Sequence, residues 1–251
     1  MSALVIAARE LRGLFLSPLA WSILGVVQLI LGYMFLVQVD YYLDIQPRIA
    51  GMEGAPGVTD LIVAPLFGNA GVILLLVMPL VTMRLISEER RNRTLSLLFS
   101  APVSMADIIL GKYLGTLAFL GVMIGMILLM PLSLLAGGGL DFGKLAACVI
   151  ALTLLLASFA AIGLFMSTLT AQPTVAAVSS FGALLLLWIV DWSVSGEDAA
   201  DSVLRYLSLL RHYESLLKGL VSTTDLAYFL LVIFTFLVLS VHALDNDRLQ
   251  K

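Results

Sequence analysis

The sequence predicts an all-α integral membrane protein, on three observations. Hydrophobic residues make up 61% of the 251, against roughly 45–50% in a soluble domain. Charged residues are only 12%, about half the usual share, and they cluster instead of spreading. The uncharged stretches between the clusters are long enough to cross a hydrocarbon core of about 30 Å as helices. A formal net charge of −3 argues against a nucleic-acid partner. The one cysteine, Cys148, excludes an internal disulfide and any Cys-based zinc site.

In residues 2–16, Leu4, Ala7, Ala8, Leu11, Leu14 and Phe15 recur at helical spacing, with Arg9, Glu10 and Arg12 assigned to the other side. A signal peptide and a helix lying in the membrane interface both fit this pattern. The apolar run that follows, Leu19 to Val39, is longer than a typical signal core and no A-x-A site follows it. A retained interfacial helix is therefore expected, turning into the membrane near Ser17-Pro18. The whole chain, 1–251, then reads as one transmembrane domain with spans at about 19–39, 65–86, 108–136, 145–169, 174–191 and 225–243. Gly and Pro mark 40–60 as a loop, and Gln172-Pro173-Thr174 breaks the long uncharged stretch from Leu145 to Val190. Between the last two spans, 192–222 carries Tyr206, Leu210, Tyr213 and Leu217 at helical spacing, as an amphipathic segment at the outer surface would.

Basic residues orient the chain. With the N-terminus inside, the cytoplasmic segments hold Arg9, Arg12, Arg84, Arg90, Arg91, Arg93, Lys112, Arg248 and Lys251. The outer segments hold Arg48, Lys144, Arg205, Arg211 and Lys218. That excess on the N-terminal side predicts both termini in the cytoplasm.

The stretch from Arg84 to Lys112 is a polar island between apolar segments. It holds Arg84, Arg90, Arg91, Arg93 and Lys112, five of the 14 basic residues, and belongs in water, since a cation at the bilayer centre costs about 2.5–3.5 kcal/mol on insertion scales. It also contains a short apolar run, Leu95 to Phe99, that a plain linker would not need. Ser104 and Asp107 give the hydroxyl-then-acid spacing of a helix start. Residues 87–104 are therefore expected to form a cytoplasmic docking loop.

Several motifs point elsewhere and carry less. Gly138 to Leu145 imitates a phosphate-binding loop but ends in Leu where Ser or Thr is required, between two spans. Asn92-Arg93-Thr94 is a formal glycosylation sequon on the cytoplasmic side. Met123, Met126 and Met130 share a helix face that could pass Cu(I), though Met in an apolar helix is more often packing. His212 and His242 are expected on opposite sides, and Cys148 as a small packing residue. Gly111-x-x-x-Gly115, Gly121-x-x-x-Gly125 and Gly163-x-x-x-Ser167 are the small-residue spacings that let membrane helices approach closely. No charge lies securely mid-span and no nucleophile, acid–base pair or metal cluster stands out, so the energy for any transport is expected from a partner and no enzyme activity from the chain.

Glu88-Glu89-Arg90, Thr94-Leu95, Leu97-Leu98, Ala101-Pro102-Val103-Ser104 and Ile109-Leu110-Gly111-Lys112 together resemble the permease subunits of ABC-2 type transporters, and among them the gliding-motility and nitrous-oxide-reductase-maturation permeases. Arg93 departs from the family's usual Gly before the Thr. The resemblance implies an exporter subunit of the inner membrane without its own ATP site. It pairs as a homodimer or heterodimer, with two copies of a separate ABC ATPase holding ATP and Mg²⁺, in membrane lipid, with room for accessory periplasmic proteins. It implies that Leu95, Leu97, Leu98 and Phe99 form a coupling helix bounded by Pro102 and flanked by Glu88, Glu89, Arg90, Arg91 and Thr94. Gln172, Pro173 and Thr174 would make a second ATPase contact. The alternatives from the residues themselves are a scaffold that recruits a cytoplasmic partner and an autonomous carrier or channel.

Overall fold

The computed structural model describes residues 2–49, 57–94, 103–136, 139–190 and 206–249. Among these the chain is helical throughout, without strands. In chain order the α-helices are α1 (Ser2–Leu16), α2 (Pro18–Ile49), α3 (Ala64–Thr82), α4 (Ser87–Arg91), α5 (Met105–Ser133), α6 (Phe142–Leu169), α7 (Pro173–Ile189), α8 (Leu209–Leu217) and α9 (Thr223–Leu249). A π-helical turn, Thr59–Val63, leads into α3, and a 3₁₀ turn, Leu134–Ala136, ends α5.

Five helical stretches are long and apolar enough to cross a membrane, namely those at Pro18–Arg48, Thr59–Arg91, Met105–Ser133, Phe142–Leu169 and Thr223–Asp247. The helix at Pro173–Ile189 is shorter. Helix α6 is the mast of the bundle, with α3, α5, α7, α8 and α9 packed around it. Its sequence explains why. Ala147, Cys148, Ala151, Ala157, Ser158, Ala160, Ala161 and Gly163 are all buried along it. Small side chains let neighbouring backbones close in where lipid tails supply no hydrophobic drive.

Helix α2 continues to Ile49, ten residues past Val39 and with Pro47 inside its last turn. The polar sequence after Asp40 suggests a loop, but the helix keeps an apolar contact beyond Val39, with Tyr42 packed against the core of the bundle.

Helix starts follow capping chemistry. Ser104 Oγ accepts the Asp107 N–H at 3.0 Å and so opens α5. Asp141 Oδ1 accepts the N–H groups of Gly143 and Lys144 at 2.8 and 3.2 Å. The sequence that imitates a phosphate loop is thus the N-cap of α6.

Candidate functional site

The polar island and the α6–α7 turn lie side by side. Met83, Arg84, Glu88 and the segment from Arg90 to Arg93 form one wall of a cleft of about 780 Å³, and Ala171 to Thr174 form the other. Four arginines and one glutamate line it. Arg84, Glu88, Arg91, Arg93, Gln172 and Thr174 are exposed, so the cleft presents a cationic surface to solvent. Of the residues implied for coupling, Glu88, Arg90 and Arg91 line the cleft with Gln172, Pro173 and Thr174, while Glu89 and Thr94 do not. Leu95, Leu97, Leu98, Phe99 and Pro102 lie outside the described residues.

Helix α4 is short and makes few bonds of its own, so its position is set from outside. Its first residue follows Ile86, which supplies no side-chain cap. Ser167 on α6 takes that place: its Oγ accepts the N–H groups of Ile86 and Ser87, both at 3.0 Å, and donates to the Met83 carbonyl at 3.1 Å. One turn earlier, Gly163 lets α3 come so close that an added Cβ would stand 2.2 Å from Thr82 Oγ1. Gly163-x-x-x-Ser167 is therefore the seat of the α3–α4 junction as well as a packing motif.

The far end of α4 closes in a Schellman turn. The Thr94 N–H donates to Glu89 O at 3.0 Å and the Arg93 N–H to Arg90 O at 3.2 Å, the paired bonds of that motif. The turn needs a left-handed residue at its penultimate position. Arg93 fills it with φ +57°, the one positive φ at a non-glycine among the described residues. A glycine, the residue that the resemblance implies at this place, would sit there without steric penalty.

Ion pairs tie the island to the bundle, one of them between Arg9 on α1 and Glu89 at 3.7 Å. Lys112, two turns into α5, has a side chain only 3% exposed. Its Nζ lies 2.9 Å from Glu89 Oε1 and 3.2 Å from Glu10 Oε2. Arg90 pairs with Asp247 near the end of α9. The Lys112 cluster corrects the reading of α1 as having Glu10 on its solvent side. Glu10 faces inward, while Leu4, Val5, Arg9, Arg12 and Leu16 face outward. Gly111 and Gly115 make this possible. A Cβ on Gly111 would lie 2.6 Å from Ile6 Cβ, and one on Gly115 would lie 2.9 Å from Ala7 O. The first of the glycine spacings is thus where α1 docks on α5, whereas Gly121 and Gly125 face open space.

The opposite end of the bundle is held differently. Tyr213 on α8 donates to Phe67 O at 2.6 Å, and Tyr228 on α9 donates to Leu207 O at 2.7 Å. His212 Nδ1 is 2.6 Å from Asp225 Oδ1, Nε2 is 3.0 Å from Tyr206 O, and the ring stacks on Tyr228. His212 is fully engaged in fastening α8 to α9, and Cys148 is buried against Leu217. Met123 is buried while Met126 is exposed, so that face is divided between core and surface.

Sequence reasoning missed Glu10, Ser167, Asp247 and the role of Lys112. The one local signal was Lys112 itself, a cation at the threshold of a charge-free stretch, which needs a partner if it is not to be buried alone.

The family model for ABC-2 family transporter protein matches residues 4–248, nearly the whole chain. No curated protein matches it. The helical architecture, the apolar spans and this match agree, and the chain belongs to the ABC-2 family of transporter proteins, the membrane-spanning permease subunits of ABC transporters.

Proposed function

We propose that a separate ATP-hydrolysing subunit docks on the cationic cleft and drives this permease as an exporter. The observation that carries the reading is that two segments some 80 residues apart, 84–93 and 171–174, line one cleft. Each is placed by the rigid mast: α4 through Ser167, and the α6–α7 turn as the direct continuation of α6. A push on the cleft would reach α5 through the Glu89–Lys112 pair, α6 through Ser167 and α9 through Arg90–Asp247. Arg91 and Arg93 supply the charge that steers an acidic partner surface. ATP and Mg²⁺ belong to the partner, and Leu95 to Phe99 is the segment assigned to its groove.

The same reading gives six crossings with both termini in the cytoplasm of an inner-membrane protein. The basic-residue bias supports it, as does the meeting of Arg90 with Asp247, which puts the island and the tail of α9 at one end. Two permeases, alike or different, would serve two ATPase copies. Export rests on the resemblance alone.

Purification from native membrane under mild conditions tests the assignment. The permease is expected to bring an ATP-hydrolysing subunit with it, and Arg91→Glu with Arg93→Glu to lose it. Full transport by the chain alone, with no such subunit recovered, would sink the proposal.

A further inference from the structure

A second cavity lies at the elbow where α1 turns into α2. Its volume is about 160 Å³, and its apolar walls are Leu14, Leu19, Ala20, Ile23, Leu80 and Phe119, with Val81 and Leu85 beside them. These residues come from the end of α1, the first turns of α2, the last turns of α3 and the middle of α5. Leu80 and Gly13 are exposed at its mouth, and α2 and α3 are both membrane-crossing helices by length and composition. The mouth therefore opens to the bilayer at its boundary with water. Trp21, 60% exposed on α2 with its indole N–H on Phe15 O at 2.8 Å, marks that level as interfacial aromatics do.

The polar end of the cavity is Glu10, Ser17, Arg84 and Glu88. Glu10 is occupied by Lys112 at 3.2 Å. Arg84 and Glu88 are exposed, stand one helical turn apart in sequence, and among the described residues pair neither with each other nor with another charged side chain. A cavity too small for a whole lipid but apolar inside, with one free cation and one free anion at its lip, matches a molecule carrying an acyl chain beside a zwitterionic head.

We propose that the elbow cavity is a phospholipid site selective for a phosphoethanolamine head group. The phosphate meets the Arg84 guanidinium, the primary ammonium meets the Glu88 carboxylate, and the upper part of one chain lies between Leu19, Ile23, Leu80 and Phe119. A choline head has no N–H to donate, so it leaves Glu88 without a hydrogen bond. A glycerol head on an anionic lipid brings no positive charge to Glu88. This lipid holds α1, α2 and α3 together at the point where α1 also contacts α5. Arg84 and Glu88 stand on the ridge between the two cavities and also line the cleft assigned to the ATPase, whereas lipid retention is read on the chain without that partner.

The test is lipid retention by the purified full-length chain, read by native mass spectrometry after exchange into detergent with phosphatidylethanolamine, phosphatidylcholine or phosphatidylglycerol. One phosphatidylethanolamine per chain is expected to survive, with a preference of about tenfold over phosphatidylcholine, the factor for one charge-assisted hydrogen bond. Glu88→Gln should remove the preference, and Arg84→Gln should weaken retention of all three lipids. Gly13→Phe should abolish retention, because Gly13 lines the cavity at its mouth and an added Cβ there meets nothing within 4 Å, which leaves room for a blocking ring. Equal retention of phosphatidylethanolamine and phosphatidylcholine, preference for phosphatidylglycerol, or a Gly13→Phe chain that keeps its lipid would each overturn the proposal. Elution of the variants at the wild-type volume in size-exclusion chromatography establishes that they are folded.

Discussion

The Nζ of Lys112 lies 2.9 Å from Oε1 of Glu89, and this pair joins the polar island to the start of α5 inside the protein. Glu10 from α1 takes the same ammonium at 3.2 Å. One buried cation thus holds two carboxylates from helices that are far apart in sequence. Lys112→Met removes the cation and leaves the two carboxylates facing each other. The expected loss is about 3 kcal/mol, as for a buried ion pair deprived of one partner, seen as a lower unfolding temperature in detergent. Adding Glu89→Gln should restore part of that loss.

Arg93 offers a test of backbone geometry. Its φ of +57° completes the turn after α4. Arg93→Gly and Arg93→Val both remove the arginine side chain, so the difference between them isolates the backbone. The valine variant is expected to be less stable by about 1–2 kcal/mol, the cost of a left-handed conformation for an L-residue with a Cβ. Equal stabilities in a denaturant titration would contradict the Schellman assignment.

The small-residue spacings should separate by position. Gly163→Ala pushes a methyl group against Thr82 at 2.2 Å and is expected to destabilise by about 1–3 kcal/mol, as overpacking does. Gly125→Ala meets nothing within 4 Å and should be close to neutral in the single chain. Thermal unfolding of the two variants side by side gives the comparison.

Docking of α1 on α5 rests on Gly111 and Gly115. Gly111→Leu cannot be accommodated with Ile6 Cβ at 2.6 Å and Ala3 O at 2.8 Å from the new Cβ. Helix α1 should then leave its seat and become open to protease at Arg9 and Arg12 while the rest of the bundle stays resistant. Wild-type resistance of α1 in the variant would refute this packing.

How far the sequence could be read depended on whether the controlling interaction was local. The cap at Ser104 and Asp107 is a three-residue relationship and was legible. So was the unusual character of Arg93, because a resemblance supplied the expected glycine. Glu10 was misassigned, since a helical wheel places every charge toward water and cannot see a lysine 102 residues away. Ser167 was visible only as a small residue, because its work is to cap a helix that begins 80 residues earlier. The cleft drew together two segments singled out separately, but nothing in the sequence says that they face each other.

The most direct test of the account places a photo-crosslinking residue at Arg91 and, separately, at Thr174, which line opposite walls of the cleft, and irradiates native membranes. The account predicts that both positions capture the same ATP-hydrolysing subunit, and that both adducts disappear with Arg93→Glu. Capture of unrelated proteins at the two positions, or of no ATP-hydrolysing subunit at either, would contradict it.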